Sequence, residues 1–516
     1  MRTTQGATLP GPQHRLATVP RPPRVAVVVA WLVVILVLVG PAPARAVEAV
    51  PAGYRVEEST TLAPGIDYRR LVRAQPPVTA HVVRLSPDAQ FDLRAVLSND
   101  RVGEPSPTME RTSEMCRRVS CVTAVNGDFA FPAGEPVGGL VSAGQLLRSP
   151  AATHHQLSVA ADGSITAGTV AWSGQLVPSD LRPLALTGVN VERSEGDTVL
   201  YSDAYGPSTR TNRFGAELVL TVVEPPSPLL LGQTVLVELV GFAQGAGDSP
   251  IPRGGLVVSA HGDGASALHE LWARAEAGSV GRRALLRLDS ASGLTESIGG
   301  SPILLRNGER WVADDGSGFV AGRHPRTIVG WREREVFLVV VDGRQPGYSV
   351  GLDLLEAADL MAGLGATDAL NLDGGGSTTL VMAGNVVNRP SDRLVRRAGT
   401  ERLVHQPAGG DAVVGPVERP VSTALAVVPR AGAESPSLDP LAGDSFPLPR
   451  EVLLVPPASS DPGSRPGAGL PALLATAQPP SHSPAPAVVV AFATMLVVTE
   501  AGALLVLVRP RRAATG

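Results

Sequence analysis

Between Val47 and about Pro429 the chain sets short apolar runs between polar punctuation. The stretches "TAHVVRLSP", "LVLTVVEP", "TVLVELVGF", "GLVVSAHG", "ALLRLD", "VFLVVVDG" and "TALAVVP" are rich in β-branched residues and bounded by Gly, Pro, Asp or Asn. Branched side chains fit a pleated surface and the bounding residues favour turns, so each run predicts a strand. Helical spacing is scarcer. Its best instance is "SVGLDLLEAADLMAGLGA", which sets Leu352, Leu355, Ala358 and Ala362 on one face and offers Gly363 or Gly365 as a C-cap. No fixed-period repeat interrupts this pattern. It predicts an α+β class: one strand-rich, mixed domain over residues 47–429 with a few helices.

The ends follow other patterns. Arg15, Arg21 and Arg24 precede the apolar run "VAVVVAWLVVILVLVG", and "APARA" supplies small residues around Ala44 and Ala46. A basic flank, an apolar stretch and an A-x-A site predict a signal peptide over 1–46. Residues 430–484 are rich in Pro, Ser, Ala and Gly, as in "PPASSDPGSRPGAG", and read as a disordered linker. Residues 485–508 are apolar enough to predict a transmembrane helix, with Glu500 inside it costing roughly 2–3 kcal/mol. Arg509, Arg511 and Arg512 then mark a basic cytoplasmic tail over 509–516. The expectation is a single-pass protein of the cell membrane, with its folded domain outside.

Composition narrows the chemistry. The 44% hydrophobic share of the 516 residues is ordinary for a globular chain, and the net charge of −4 gives no basic surface for nucleic acid. All 44 basic residues are arginine. Without lysine there is no Schiff-base amine, no Ser-Lys nucleophile and no Walker phosphate loop. The two cysteines, Cys116 and Cys121, are close enough for a small structural disulfide in an exported chain. Further Cys or His ligands at zinc spacing are not visible.

Four stretches can carry chemistry. In "NLDGGGSTTLVM" an apolar strand ends at Asp373, and Gly374, Gly375 and Gly376 lead to Ser377 and Thr378. Glycines there let a ligand approach the backbone, and successive amides can form a nest for an anion. The same residues also suit a hairpin with Asp373 capping its turn. In "CVTAVNGDFAFPAGEP", Asn126-Gly127-Asp128 follows a strand, and Phe129 and Phe131 suggest a pocket edge. "RHPRTIVGW" brings Arg323, His324 and Arg326 to a strand start, and arginine grips phosphate in bidentate fashion. "VVVDGRQPG" ends a strand at Asp342, with Arg344 beyond it, and taken singly each of these last two stretches reads better as a plain surface turn. The histidines His154, His155, His261, His324 and His405 follow no metal-binding spacing, and no G-x-S-x-G elbow is present.

Taken in order, "AVNGDF", "GGSPILLRNGE", "HPRTIVGW", "VVVDGRQPGYSVG", "GATDALNLDGGGSTTLV" and the late "ERLV" resemble the phosphodiester glycosidase family, with coverage from about Ala63 to Pro429. The resemblance implies a catalytic domain that hydrolyses the anomeric C–O bond of a sugar-1-phosphodiester. It assigns Asp373 and Asp128 as catalytic carboxylates and Arg326 as a phosphate clamp. The clamp would be completed by the amides of Gly374, Gly375 and Gly376 and by the hydroxyls of Ser377 and Thr378. Asn126 would position sugar hydroxyls, Asp342 and Arg344 would stand at the pocket edge, and Glu401 with Arg402 would form a supporting pair. Ala130 departs from the pattern, since many relatives carry an aromatic residue directly after the position of Phe129. The expected partner is a carbohydrate phosphodiester of an envelope polysaccharide or teichoic-acid-like polymer, with the membrane reached through the C-terminal helix. The alternative is a surface protein that binds sugar phosphate without turnover. No cofactor is assigned, and a divalent cation near Asp373 is left open.

Overall fold

The apolar runs pair almost entirely side by side and antiparallel. The computed structural model describes residues 49–103, 108–179, 181–226, 229–290, 293–397, 400–404 and 412–430. The segments read as signal, linker, span and tail lie outside the described residues, apart from Arg430. Two eight-stranded sheets, two five-stranded sheets and one three-stranded sheet make up the architecture. Among the described strands one pairing is parallel, that of Gly188–Val189 with Thr198–Ser202.

The α+β class expected from the sequence is therefore corrected to a mostly antiparallel β architecture. Its helices are short insertions: Thr112–Arg118, Asp263–Glu276, Gly318–Ala321 and Leu354–Gly363. The physical reason is the scarcity of 3.6-residue apolar spacing beside the many β-branched runs. The single-pass membrane location is corrected as well. No helix among the described residues is long and apolar enough to cross a membrane. The longest, Asp263–Glu276, has 14 residues where a span needs about 20. Residues 485–508 themselves lie outside the described residues.

The first eight-stranded sheet runs in the order Arg55–Ala63, Ile66–Arg73, Val78–Leu85, Glu335–Val341, Arg326–Arg332, Asp368–Asn371, Ile303–Arg306, Glu309–Arg310. Glu335–Val341 is buried at every position, as its unbroken apolar run requires of a central strand covered on both faces. A five-stranded sheet carries Asn385–Val386, Leu380–Met382, Thr123–Asn126, Thr423–Pro429 and Phe91–Leu97 in that order. The stretches ending at Asn126 and Asn371 thus belong to different sheets, and their C-terminal ends meet.

The helix expected around Leu355 forms over Leu354–Gly363. Asp353 starts it by accepting the Glu356 amide at 2.8 Å, with the Glu356 side chain completing a capping box. Because the cap fixes the start, the buried face is Leu354, Ala357, Ala358, Leu360 and Met361. That stripe is rotated from the expected Leu355–Ala358–Ala362 set, and Ala362 is exposed. Cys116 and Cys121 form the expected disulfide, with Cα atoms 5.0 Å apart, between the helix Thr112–Arg118 and the strand leading to Asn126.

One carboxylate is built into the packing. Glu296 accepts the Ala95 amide on Oε2 and the Ala143 amide on Oε1, both at 2.9 Å, and pairs with Arg94 at 3.1 Å. It thereby satisfies an amide on the edge strand Phe91–Leu97. Burial pushes its carboxyl up to about 7 against those three favourable contacts.

Candidate active site

Asn126 joins the two strand ends. It is fully buried, and its Nδ2 donates to the Asp373 carbonyl at 2.6 Å. Its Oδ1 accepts the Thr327 hydroxyl at 2.7 Å and the Thr379 amide at 3.1 Å. The Asp373 amide in turn donates to the Gly127 carbonyl at 2.9 Å. A buried amide side chain with both ends engaged fixes backbone geometry, so the structure places Asn126 beneath Asp373 and gives it main-chain partners.

Asp128 sits in a slot built of glycines. Its Oδ1 accepts the Phe129 amide at 2.8 Å and His154 Nε2 at 3.0 Å, and its Oδ2 accepts the Gly138 amide at 2.6 Å. Residues 129–137 loop out and return through the Val137 amide, which donates to the Phe129 carbonyl at 2.9 Å and so delivers Gly138. A Cβ on Gly299 would lie 2.2 Å from Asp128 Oδ2, which explains a glycine there. The Asp128 amide donates to the Thr423 hydroxyl at 2.9 Å, tying the turn to the strand Thr423–Pro429.

Asp373 is half-buried at the end of the other strand. Burial pushes its carboxyl up to about 6, and the Asp128 carboxylate adds to the rise; a Ser377 hydrogen bond, the Arg419 charge and the Gly374 amide oppose it. Gly375–Ser377 form one 3-10 turn, and Gly375 takes φ +63°. The Gly375 amide donates to the Pro325 carbonyl at 2.9 Å, so part of the expected anion nest holds the turn itself. Thr378 is buried with its hydroxyl unpartnered.

Two arginines flank this turn. Arg419, which the sequence pattern did not single out, binds Asp392 through Nε at 2.9 Å and Nη2 at 2.8 Å and reaches the Ser377 hydroxyl at 3.3 Å. A Cβ on Gly376 would fall 2.1 Å from both Arg419 Nη2 and Asp392 Oδ1, so the ion pair lies directly on the glycine. Arg344 approaches from the other side, with Nη2 3.1 Å from where a Gly375 Cβ would stand and 3.4 Å from His324 Nδ1. Its guanidinium feels Asp392 and Asp373 as neighbouring negative charges.

Other expected residues stand elsewhere. Arg326 is buried, its Nε donating to the Leu352 carbonyl at 3.0 Å and its Nη2 to the Phe319 and Gly322 carbonyls at 2.9 and 2.8 Å. Burial pushes it down to about 10. It caps the short helix Gly318–Ala321 and lies against the Phe319 ring, whose centroid is 6.2 Å from that of Phe129. Asp342 is fully buried: Oδ1 accepts from Asn388 Nδ2 and the Arg389 amide, and Oδ2 from the Tyr348 hydroxyl and His81. Asn388 carries that hub to the site by donating to the Thr378 carbonyl at 3.1 Å. Glu401 and Arg402 lie on the strand Thr400–Val404, with side chains outside the described residues.

Among the described residues no group of three or more His, Cys, Asp or Glu side chains is spaced to hold a metal ion. A cleft of about 930 Å³, lined by Leu85, Phe91, Arg94, Ile165, Glu296 and Arg430 among others, includes none of the residues gathered around Asp128 and Asp373. His154, Arg419, Asp392 and Phe319 are the site residues that sequence reasoning missed. The adjacent glycines of "IGGS" were the available signal for a close approach to Asp128.

Residues 242–428 match the phosphodiester glycosidase family model. The N-acetylglucosamine-1-phosphodiester alpha-N-acetylglucosaminidase of Bos taurus is 30% identical over 141 residues, covering 23% of this chain and 26% of that protein. The Mus musculus enzyme of the same name is 31% identical over 141 residues, covering 23% of this chain and 27% of its own. The chain thus spans about a quarter of the length of the curated relatives it matches. The crystal structure of a hypothetical protein from Synechocystis shares the fold at TM-score 0.51 and 19% identity, covering 73% of this chain and 68% of that one. On the family match and these relatives, residues 242–428 are assigned to the phosphodiester glycosidase family.

Proposed function

We propose that this chain hydrolyses the glycosidic C–O bond of sugar-1-phosphodiesters. The observation that carries the reading is the meeting of two carboxylates, Asp128 and Asp373, from separate sheets beside a turn flanked by Arg344 and Arg419. In the reaction, water oxygen bonds to the anomeric carbon and one of its protons passes to a carboxylate. The C–O bond breaks with its electron pair leaving on the phosphate oxygen, giving a free sugar and a phosphomonoester. A phosphomonoester leaves readily, so charge neutralisation matters more than protonation of the leaving group.

Asp373 suits the proton transfer. With its carboxyl at about 6, it is ionised at neutral pH yet basic enough to take a proton from attacking water. Asp128 suits the stabilisation of positive charge at the anomeric carbon, since its oxygens are held by fixed N–H donors. Arg344, Arg419 and the Ser377 hydroxyl would receive the phosphate. The substrate named for the bovine and mouse relatives, an N-acetylglucosamine-1-phosphodiester, is the first to try.

The test is incubation of the full chain with a panel of sugar-1-phosphodiesters and UDP-sugars. Release of sugar together with a phosphomonoester is the expected outcome. Saturable binding across the panel without any release would favour a non-catalytic sugar-phosphate binding protein.

A further inference from the structure

His154 sits in the stretch "THHQ", which carries no motif, yet it makes a side-chain contact with one of the two site carboxylates. We infer that His154 is a positioning residue for Asp128, fixing the plane of its carboxylate and so the direction in which it meets the reacting carbon. The inference rests on the glycosidase reading above.

The geometry distinguishes the two oxygens. Oδ1 accepts two donors, the Phe129 amide and His154 Nε2, while among the described residues Oδ2 accepts the Gly138 amide alone. Oδ1 is thereby filled, and Oδ2 keeps a lone pair for charge developing at the anomeric carbon. Rotating the carboxylate plane about the Cβ–Cγ bond, short of a half-turn, would break all three contacts together. The amides of Phe129 and Gly138 belong to the loop itself, so His154 is the side chain that ties the carboxyl to another element.

That element is firmly placed. His154 is 7% exposed, and its own amide donates to the Ala151 carbonyl at 3.3 Å. The next residue accepts the Gly300 amide on its carbonyl at 3.0 Å, and Gln156 opens a strand in register with Gly299. Gly299 is the residue whose Cβ would strike Asp128. A Cβ on Gly138 would come 2.8 Å from His154 Cδ2 and 3.0 Å from Asp128 Oδ2, so carboxylate, imidazole and glycines fill one slot with no slack. A histidine that merely filled space would not need its ring nitrogen on a carboxylate. This one supplies an N–H donor where an apolar side chain would leave Oδ1 one donor short.

The test compares His154→Ala with His154→Gln, whose amide N–H can stand near the lost Nε2–H. Misplacement of the carboxyl by about 1 Å predicts a fall in kcat of about 10²-fold for His154→Ala, with KM little changed, and recovery to within about tenfold for His154→Gln. The pH profile of kcat should move in the alanine variant and return in the glutamine variant. Urea unfolding of both variants corrects for any loss of folded protein. The inference is overturned if His154→Ala keeps the parent kcat and pH profile, or if its loss matches its unfolded fraction. It is equally overturned if His154→Gln, folded, is as slow as His154→Ala. If the parent protein releases no sugar from any substrate, the glycosidase reading has failed by itself. The positioning claim is then read by carbon-13 NMR of the Asp128 carboxyl, whose chemical shift at one fixed pH must differ from the parent's in the alanine variant and return to it in the glutamine variant; an unchanged shift in the alanine variant overturns the claim.

Discussion

Glu296 ties stability to pH in a way the structure sets numerically. Its carboxyl is moved by burial from an ordinary 4.5 to about 7, so folding favours the protonated form. For an acid whose folded value is raised, the stabilising contribution is fully present below pH 4.5 and is lost as pH rises through 7. The full range corresponds to about 3 kcal/mol, of which about 2 kcal/mol falls between pH 5.5 and 8.5. The side chain is 8% exposed, so solvent screening removes little of this. Glu296→Gln abolishes the titration, and its NH2 must face one of the two backbone amides, a cost that does not vary with pH. Urea unfolding of parent and variant at the two pH values gives the comparison, in which the constant effect of the amide cancels. The parent should lose about 2 kcal/mol more than the variant on going to pH 8.5. Parallel pH dependences in the two proteins would refute the burial argument.

Other perturbations test the site's construction. Asn126→Ala strands the Asp373 carbonyl, the Thr327 hydroxyl and the Thr379 amide, and should cost about 3 kcal/mol in urea unfolding; a cost under about 1 kcal/mol would contradict the joining role. Gly376→Ala drives a methyl into the Arg419–Asp392 pair, and should raise KM for a sugar-1-phosphodiester at least tenfold, equivalent to about 1.4 kcal/mol of binding, in steady-state kinetics. Arg326→Gln should lower the unfolding midpoint while leaving KM of the folded fraction near the parent value, whereas Arg344→Gln should raise KM; the reverse pattern would restore Arg326 as the phosphate clamp.

Much of this arrangement was legible in the chain. The β-branched runs became strands, and the helix near Leu355 formed where spacing and glycines placed it. The stretches around Asp128 and Asp373 were found because glycines and acids at strand ends signal close backbone approach. Side-chain direction was the part that could not be read. Arg326 precedes a strand as a clamp would, but the carbonyls of Phe319, Gly322 and Leu352 capture its guanidinium. Arg419 and Asp392 lie in polar stretches without periodicity, and only folding brings them onto Gly376. The helix face was misjudged by the few residues that the Asp353 cap decides. The class was misjudged because counting helices does not reveal whether they form a layer or decorate sheets.

The central claim is that the anomeric C–O bond breaks and the P–O bond does not. Running the reaction of the full chain in oxygen-18 water and analysing the phosphomonoester by mass spectrometry tests it directly. Cleavage of the C–O bond gives a phosphomonoester without label, its bridging oxygen having left intact from the sugar, while oxygen-18 in the phosphate would contradict it.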